Sequence, residues 1–512
     1  MPSPFDNTPF SDLLDLILCR DDPQPTDTPS ASGKVETGLL SAGSATLVDW
    51  DGPGDPENPQ NWSTTRKTFV LIQICLLTVA IYSGSAIITP AEPVFVDVYG
   101  VSVQVSTLVL SMYVLGYGVG PLFFSPLSEV PRLGRNIPYM SSLFLFLIMT
   151  AIASRVSSYP GLVVLRFIQG FLGGPVLATG GASISDVLPF NKIPYGATLW
   201  MWACYAAPSL GPLLAGFSVP AATWRWSMYE LLILSGCTFI ILFFCLPETN
   251  ADTLLLRRAQ RLRRMTGNPH LRSESERKED QVSLLLLMGR YLTTPFRVTV
   301  LDPSVAFMNV YTALAYGVYY SYFESFPLVY IGIHGLSTGL MGVVFLFIIV
   351  ASFIGGFIYA FLVWRIYEPY TLKVGIGKPE YRLVPGVFAA AVGPMGLFLF
   401  GWTARPSIHW IVPTIGIVIF SASLFIILNV IIIYLPTSYP RYAASLFAAN
   451  TFIRSAVACG AIHFSQPLFG NLGLGRGCSV LGGLAAACFF GIVALWHFGP
   501  QLRARSRFAE TY

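Results

Sequence analysis

The sequence predicts an all-α membrane protein in which twelve transmembrane helices form two pseudo-symmetric six-helix bundles. Three observations predict it. The 512-residue chain is 54% hydrophobic and only 11% charged, with mean hydropathy +0.61, whereas a soluble domain carries about 25% charged residues. Twelve apolar runs meet the requirement of about 20 residues per bilayer crossing. They lie near 68–88, 105–127, 137–154, 159–185, 195–219, 226–246, 303–328, 339–364, 383–403, 409–434, 442–467 and 477–497. The long gap at 247–302 divides them six and six. The organisation is therefore a tail (1–65), a first bundle (66–246), a central loop (247–302), a second bundle (303–498) and a tail (499–512).

Basic residues collect on the cytosolic flanks of membrane spans. With the N-terminus inside, those flanks hold 23 Lys and Arg, against Arg155, Arg225, Arg405 and Arg476 outside. Both termini are thus expected in the cytosol of a plasma-membrane protein. A net charge of +4 gives no case for nucleic acid. The eight cysteines form no CxxC pairs and have no His partners, so neither a metal site nor a disulfide framework is indicated.

Residues 1–65 are polar and rich in Pro, Asp, Ser and Thr, the composition of a largely disordered segment. Within them Phe10, Leu13, Leu14, Ile17 and Leu18 keep helical spacing. They form a short interfacial helix, a docking tag or a fraying apolar patch. The second span narrows through Gly116, Gly118, Gly120 and Pro121 and is followed by Glu129, Arg132 and Arg135. Small residues let another helix approach in lipid. Glu92 and Asp97, after the first span, are expected outside and solvated.

Ionisable groups inside a membrane are costly and usually face a cavity. Arg166 in the fourth span needs a carboxylate or backbone carbonyls around it. The fifth span carries Gly211, Pro212 and Gly216, where glycines permit close packing and Pro212 removes a donor and bends the helix. Glu324, late in the seventh span, and Glu230, early in the sixth, are candidate proton carriers because burial raises a carboxyl towards neutrality. Tyr316, Tyr319, Tyr320 and Phe323 share one face of the seventh helix. That aromatic wall beside an acid suits a flat, apolar ligand, cations included. Asn450 and Arg454 lie one turn apart on the eleventh span, with Glu324 or a structural bond as the partner of Arg454. The central loop presents Arg257, Arg258, Arg261, Arg263 and Arg264 among leucines, either a helix on the anionic inner leaflet or a solvated linker.

Several strings resemble the major facilitator superfamily, and within it the fungal drug:proton antiporters. They are PLSEVPRLGRN after the second span, DPENPQNW before the first, RFIQG in the fourth, and APSLGPLLAG in the fifth. WRW before the sixth, PET after it and RYAASLFAANTFIRS at the eleventh complete the set. The resemblance implies halves that rock around a midplane site. It also implies a proton-coupling role for Arg166, an exporter's fifth helix, and a latch of Glu129, Arg132 and Arg135 with Asp186. Here Ala207 and Ala215 replace two glycines of the fifth-span pattern. Pro131 and Leu133 lengthen the loop and Asn136 replaces a base, which leaves the latch weaker or differently paired. A repeat of the loop motif after the eighth span, around Gly355-Gly356 and Trp364–Pro369, is only a faint echo.

No Gly-rich loop ending in Gly-Lys-Ser/Thr is present, which argues against ATP-driven export. With no Gly-x-Ser-x-Gly and His463 isolated in its span, enzymatic chemistry is not expected. Nor is a cofactor. The expectation is a monomeric, proton-coupled exporter of drugs, xenobiotics or a fungal toxin. A nutrient importer and a transport-dead sensor on the same scaffold remain as alternatives.

Overall fold

The computed structural model describes residues 7–17, 46–279, 293, 296–374, 379–439 and 443–504. Each of the twelve apolar runs is helical. The first half comprises Thr64–Ala86, Leu108–Glu129, Asn136–Ala153, the pair Tyr159–Gly173 and Pro175–Val187, Ile193–Ala221 and Arg225–Cys245. The second comprises Pro303–Phe323, the pair Thr338–Val344 and Leu346–Leu362, Val384–Thr403, Ile411–Ser438, Ala443–Leu472 and Leu474–Ala504. By length and hydropathy, eight helical segments among the described residues can cross a membrane. The fourth, fifth, seventh and eleventh spans are not among them. They are also the spans that carry Arg166, Gly211, the tyrosine face and Arg454.

The packing repeats with an offset of six. In the first half the first span packs on the fifth, the second on the fourth and the third on the sixth. In the second half the seventh packs on the eleventh, the eighth on the tenth and the ninth on the twelfth. Two pairs make the main joints between the halves, the second with the eleventh and the fifth with the eighth. These too exchange under the same offset, so the arrangement is pseudo-two-fold.

The faint echo after the eighth span has a structural counterpart. A Cβ on Gly116 would strike the Phe167 carbonyl of the fourth span, and one on Gly355 would lie 2.7 Å from the Ala422 carbonyl of the tenth. Each glycine stands the same number of residues ahead of an acid, Glu129 or Glu368. Without a hydrophobic drive between helices in lipid, such backbone contacts supply the association.

The end of the bundle that carries the N-terminal segment and the central loop is called inner below, the opposite end outer. At the inner end, residues 46–65 are folded rather than disordered. Thr46–Leu47 pairs in parallel with Leu271–Arg272. The Asp55 carboxylate accepts the N–H groups of Asp51 and Glu57, both at 2.8 Å, and Asn61 Nδ2 donates to the Pro53 and Asp55 carbonyls. These side chains satisfy the backbone locally, which a composition argument cannot register. The segment then docks on the basic helix Ala251–Thr266. Arg258 pairs with Asp51 and Asp55, and Arg261 with Glu57. Arg257 takes Asp12 and Arg263 takes Glu276. Arg257, Arg258, Arg261 and Arg263, placed by the sequence on anionic lipid or in a solvated linker, therefore meet carboxylates of the chain itself. The helix Pro9–Ile17 is a docking element. Phe10 lies 4.8 Å from Phe244 of the sixth span, ring centre to ring centre.

Candidate functional site

A cavity lies between the halves at mid-height. It is lined by Tyr82 of the first span, Trp200, Cys204, Tyr205 and Pro208 of the fifth, Tyr316 and Tyr319 of the seventh, and Asn450, Thr451 and Arg454 of the eleventh. Its volume is about 40 Å³, room for a few waters and far below the ~300 Å³ that a drug-sized ligand occupies.

Arg454 is 9% exposed. It donates from Nη2 to the Tyr82 hydroxyl at 3.2 Å and stacks 4.9 Å from the centre of the Tyr316 ring. Its Nε–H has no partner, nor do the hydroxyls of Tyr205 and Tyr319. The expected Glu324 contact is not made. Asn450 donates to Asn309 Oδ1 at 2.9 Å and to Thr312 Oγ1 at 2.6 Å, tying the eleventh span to the seventh.

The tyrosine face divides in two. Tyr316 and Tyr319 line the cavity. Tyr320 and Tyr316 bond to the hydroxyl of Tyr117, at 2.9 and 3.1 Å, from across the halves. Phe323 packs 4.2 Å from Tyr319 and on Phe326 and Phe345, so it caps the cavity on its outer side. Glu324 closes the helix just beyond this cap and does not line the cavity. Glu92, expected in solvent, is half-buried and lies within electrostatic reach of it from the other half. One Glu92 carboxyl oxygen is buried without a hydrogen-bond partner. The reason is the turn Thr89–Ala91, which folds the chain back so that helix Glu92–Tyr99 seats Phe95 fully buried against Trp224. Glu230 sits at the outer end of the sixth span beside Ser218, away from the cavity.

Arg166 is fully buried and bonded throughout. It donates to the carbonyls of Val109 (3.0 Å), Gly84 (2.5 Å) and Ser85 (3.1 Å) and to Gln169 Oε1 (3.2 Å). The Tyr113 ring covers it at 4.2 Å. Its hydrogen-bond partners are backbone and amide oxygens, and the guanidinium pins the fourth span to the first and second.

In the fifth span, a Cβ on Gly211 would fall 2.6 Å from Ile87 N of the first span. Gly216 lies against Thr338, and the Pro212 carbonyl, 2.6 Å from a Cβ built on Gly342, meets the eighth span of the other half. The motif therefore serves one contact inside its own half and another between halves.

At the inner end Arg135 Nε donates to Asp186 at 3.1 Å, and Nη1 bonds Ser128. Burial opposes the charge on Arg135, but Asp186 outweighs it and raises the guanidinium above its ordinary value. Glu129 contributes to the same field, while Arg132 is exposed on the turn. The different pairing comes from Glu248, fully buried after the sixth span. Its carboxylate accepts the N–H groups of Arg135, Asn136, Thr249 and Asn250 at 2.9–3.1 Å. Asn136 uses its side chain to reach the Leu246 carbonyl, a bond that a base could not make in the same way.

Both ends of the cavity are closed. At the inner end Lys192 and Tyr195 reach Glu368 at 2.6 and 2.7 Å, and Arg382 covers Phe190. At the outer end His463, expected to be isolated, bonds Ser111 at 2.9 Å and Thr107 at 3.3 Å from the opposite half.

The family model described as Major Facilitator Superfamily matches residues 74–462. The chain belongs to this superfamily. Among curated relatives, the MFS-type transporter pyvG of Aspergillus violaceofuscus is 43% identical, over 92% of this chain and 87% of its own. Fluconazole resistance protein 1 of Saccharomyces cerevisiae is 38% identical, over 95% of this chain and 88% of its own. Among solved structures, the human organic anion transporter MFSD10 matches with TM-score 0.57 at 16% identity, covering 84% of this chain and 99% of its own. At that identity it bears on the fold alone.

Sequence reasoning did not single out Tyr82, Tyr117 or Tyr205, took Glu248 only as part of the PET string, and read His463 as isolated. Tyr117 had a signal, since it stands between Gly116 and Gly118 in a helix otherwise narrowed for contact.

Proposed function

We propose that this protein is a proton-coupled exporter of drugs, xenobiotics or a secondary metabolite made by its own cell, working by alternating access. The observation that carries the reading is the central cavity. Two pseudo-symmetric halves line it, and separate polar contacts close it at either end. Relatives named for cycloheximide resistance, for fluconazole resistance and as an efflux pump support export. Rocking the halves would break the Lys192–Glu368 set or the His463 set in turn.

Glu324 is the proton carrier in this reading, with Arg166 and Glu230 as the remaining coupling candidates. It stands near the outer end of the seventh span, within electrostatic reach of Glu92 from the other half. Proton entry there and release on the inner side would draw on the membrane potential, about 2.3 kcal/mol per charge per 100 mV. Tyr316, Tyr319, Tyr320, Phe323, Asn450 and Arg454 form the substrate site and its cap. Glu129, Arg132, Arg135 and Asp186 form the inner latch. The protein acts as a monomer in the plasma membrane with both termini in the cytosol.

The test is accumulation of antifungals and dyes in yeast lacking its own exporters, comparing empty vector, this protein and Glu324→Gln, with and without a protonophore. Lower accumulation that the protonophore abolishes supports proton-driven export. Loss in Glu324→Gln, with protein still at the surface, supports Glu324 as the carrier. Unchanged accumulation across the panel would sink the multidrug reading.

A further inference from the structure

Two arginines are buried in the membrane-spanning region, and they are treated differently. Arg166 has four hydrogen-bond acceptors and an aromatic face. Arg454 has one hydroxyl and one face, and its Nε–H points to nothing. Burying a charge so poorly satisfied is costly, and structural arginines avoid it. The shortfall lies at the cavity wall, where the hydroxyls of Tyr205 and Tyr319 are likewise unpartnered. Both tyrosines are about as buried as Arg454, at 5% and 4% exposure.

None of the described lining residues is acidic. Glu324 and Glu92 are beyond the aromatic cap, Glu230 is at the outer end of the sixth span, and Glu129 and Asp186 belong to the inner latch. The cavity therefore offers a positive charge and unsatisfied donors, with no carboxylate to balance them. A cation entering it meets a like charge in a low-dielectric site. A molecule with carbonyl, carboxylate or sulfonate oxygens completes what the protein leaves open.

We propose that the central cavity selects flat aromatic molecules bearing anionic or strong acceptor groups, anchored on Arg454 with Tyr205 and Tyr319 as further donors, and discriminates against permanent cations. This overturns the cation that the aromatic wall beside Glu324 suggested. The proposal rests on the central cavity being the substrate site, but not on proton coupling or the direction of transport.

The experiment is equilibrium binding to the purified full-length protein in lipid nanodiscs, without any gradient. Two dyes on the same xanthene ring are compared, fluorescein as its anion and rhodamine 6G as a cation. Fluorescein is expected to bind about tenfold tighter or more, the scale of one charged hydrogen bond. Arg454→Met should lower fluorescein affinity about tenfold and leave rhodamine 6G unchanged or improved. Arg454→Lys should retain part of the preference, because it keeps charge but not the fork. Tyr319→Phe, which removes one oxygen and little volume, should weaken fluorescein by a few-fold, and it serves if Arg454→Met does not fold. Equal affinity for both dyes, tighter binding of the cation, no fluorescein binding, or an equal loss of both dyes in folded Arg454→Met would overturn the proposal. Loss of protonophore-sensitive export in cells, with the dye preference intact, would count against the exporter reading alone.

Discussion

The buried Arg135 and the half-buried Asp186 form an ion pair at 3.1 Å that ties the loop after the second span to the end of the fourth. The backbone on one side of that pair is held independently by Glu248. A pair broken on one side leaves an uncompensated charge, at a cost of about 3–5 kcal/mol when fully buried and less where, as at Asp186, solvent reaches the carboxylate. Arg135→Ala is thus expected to lower the thermal unfolding temperature markedly. Glu248→Ala should be at least as damaging, because four N–H groups lose their acceptor. Differential scanning fluorimetry of the detergent-purified variants measures both. A pair of unchanged melting curves would remove the latch from the stability of this protein.

Arg166→Lys keeps a charge but cannot reach the Val109, Gly84 and Ser85 carbonyls and Gln169 together. The expected loss is roughly 3 kcal/mol, seen as a lower melting temperature with reduced transport. Transport lost with the melting temperature unchanged would instead point to a direct part in proton movement.

The glycines of the fifth and eighth spans have no room to grow. Gly211→Val should drive the first and fifth spans apart, and Gly342→Val should separate the halves at Pro212. Overpacking of this kind costs about 1–3 kcal/mol. Surface expression and transport are expected to fall in both. Full activity in Gly342→Val would mean that the close fifth–eighth contact is dispensable.

The two closures should respond in opposite senses. Cys204 lines the cavity, so a chain with its other cysteines replaced reports access through that one thiol. His463→Ala is expected to raise labelling of Cys204 from outside by a membrane-impermeant maleimide. Glu368→Gln, which weakens the bond to Lys192, should raise it from the cytosolic side of inverted vesicles. Labelling that rises from the same side in both variants would contradict the assignment of the closures.

The clamp of residues 46–62 on the basic helix should be insensitive to pH across the neutral range. Burial alone would raise the Asp55 carboxyl, but the Asp51 N–H, the Arg258 guanidinium and the Glu57 N–H together hold it below its ordinary 3.8. A carboxylate with a depressed folded value stabilises above its unfolded value and loses that contribution as pH falls through the folded one. The Asp55 contribution to the clamp is therefore lost only below about pH 3.8. Hydrogen exchange of residues 46–62, corrected for intrinsic rates, should be flat at neutral pH and about tenfold faster in Asp55→Asn.

The spans were legible because about 20 apolar residues leave few alternatives, and the six-and-six division because one polar gap interrupts them. Arg454 and Asn450 were legible as rare polar groups in a span. What they touch was not, since Tyr82 and Asn309 lie 372 and 141 residues away in the chain. Glu92 was misread because a single short turn decides whether an acid beyond a span end faces solvent or the bundle. The basic helix was read from its own charges alone. Its carboxylate partners sit in a segment whose composition hides them.

The clamp also has a consequence for synthesis. Asp55 and Arg258 are 203 residues apart, and six spans are threaded between them. At about 5–20 residues per second, the acidic segment waits roughly 10–40 s for its arginines. They meet only if those six spans have brought the chain back to the side where it started. A span skipped or inverted would strand the partners on opposite sides of the bilayer. The closed clamp is therefore a record, written in three carboxylates and two arginines, that the first half was inserted in the correct order.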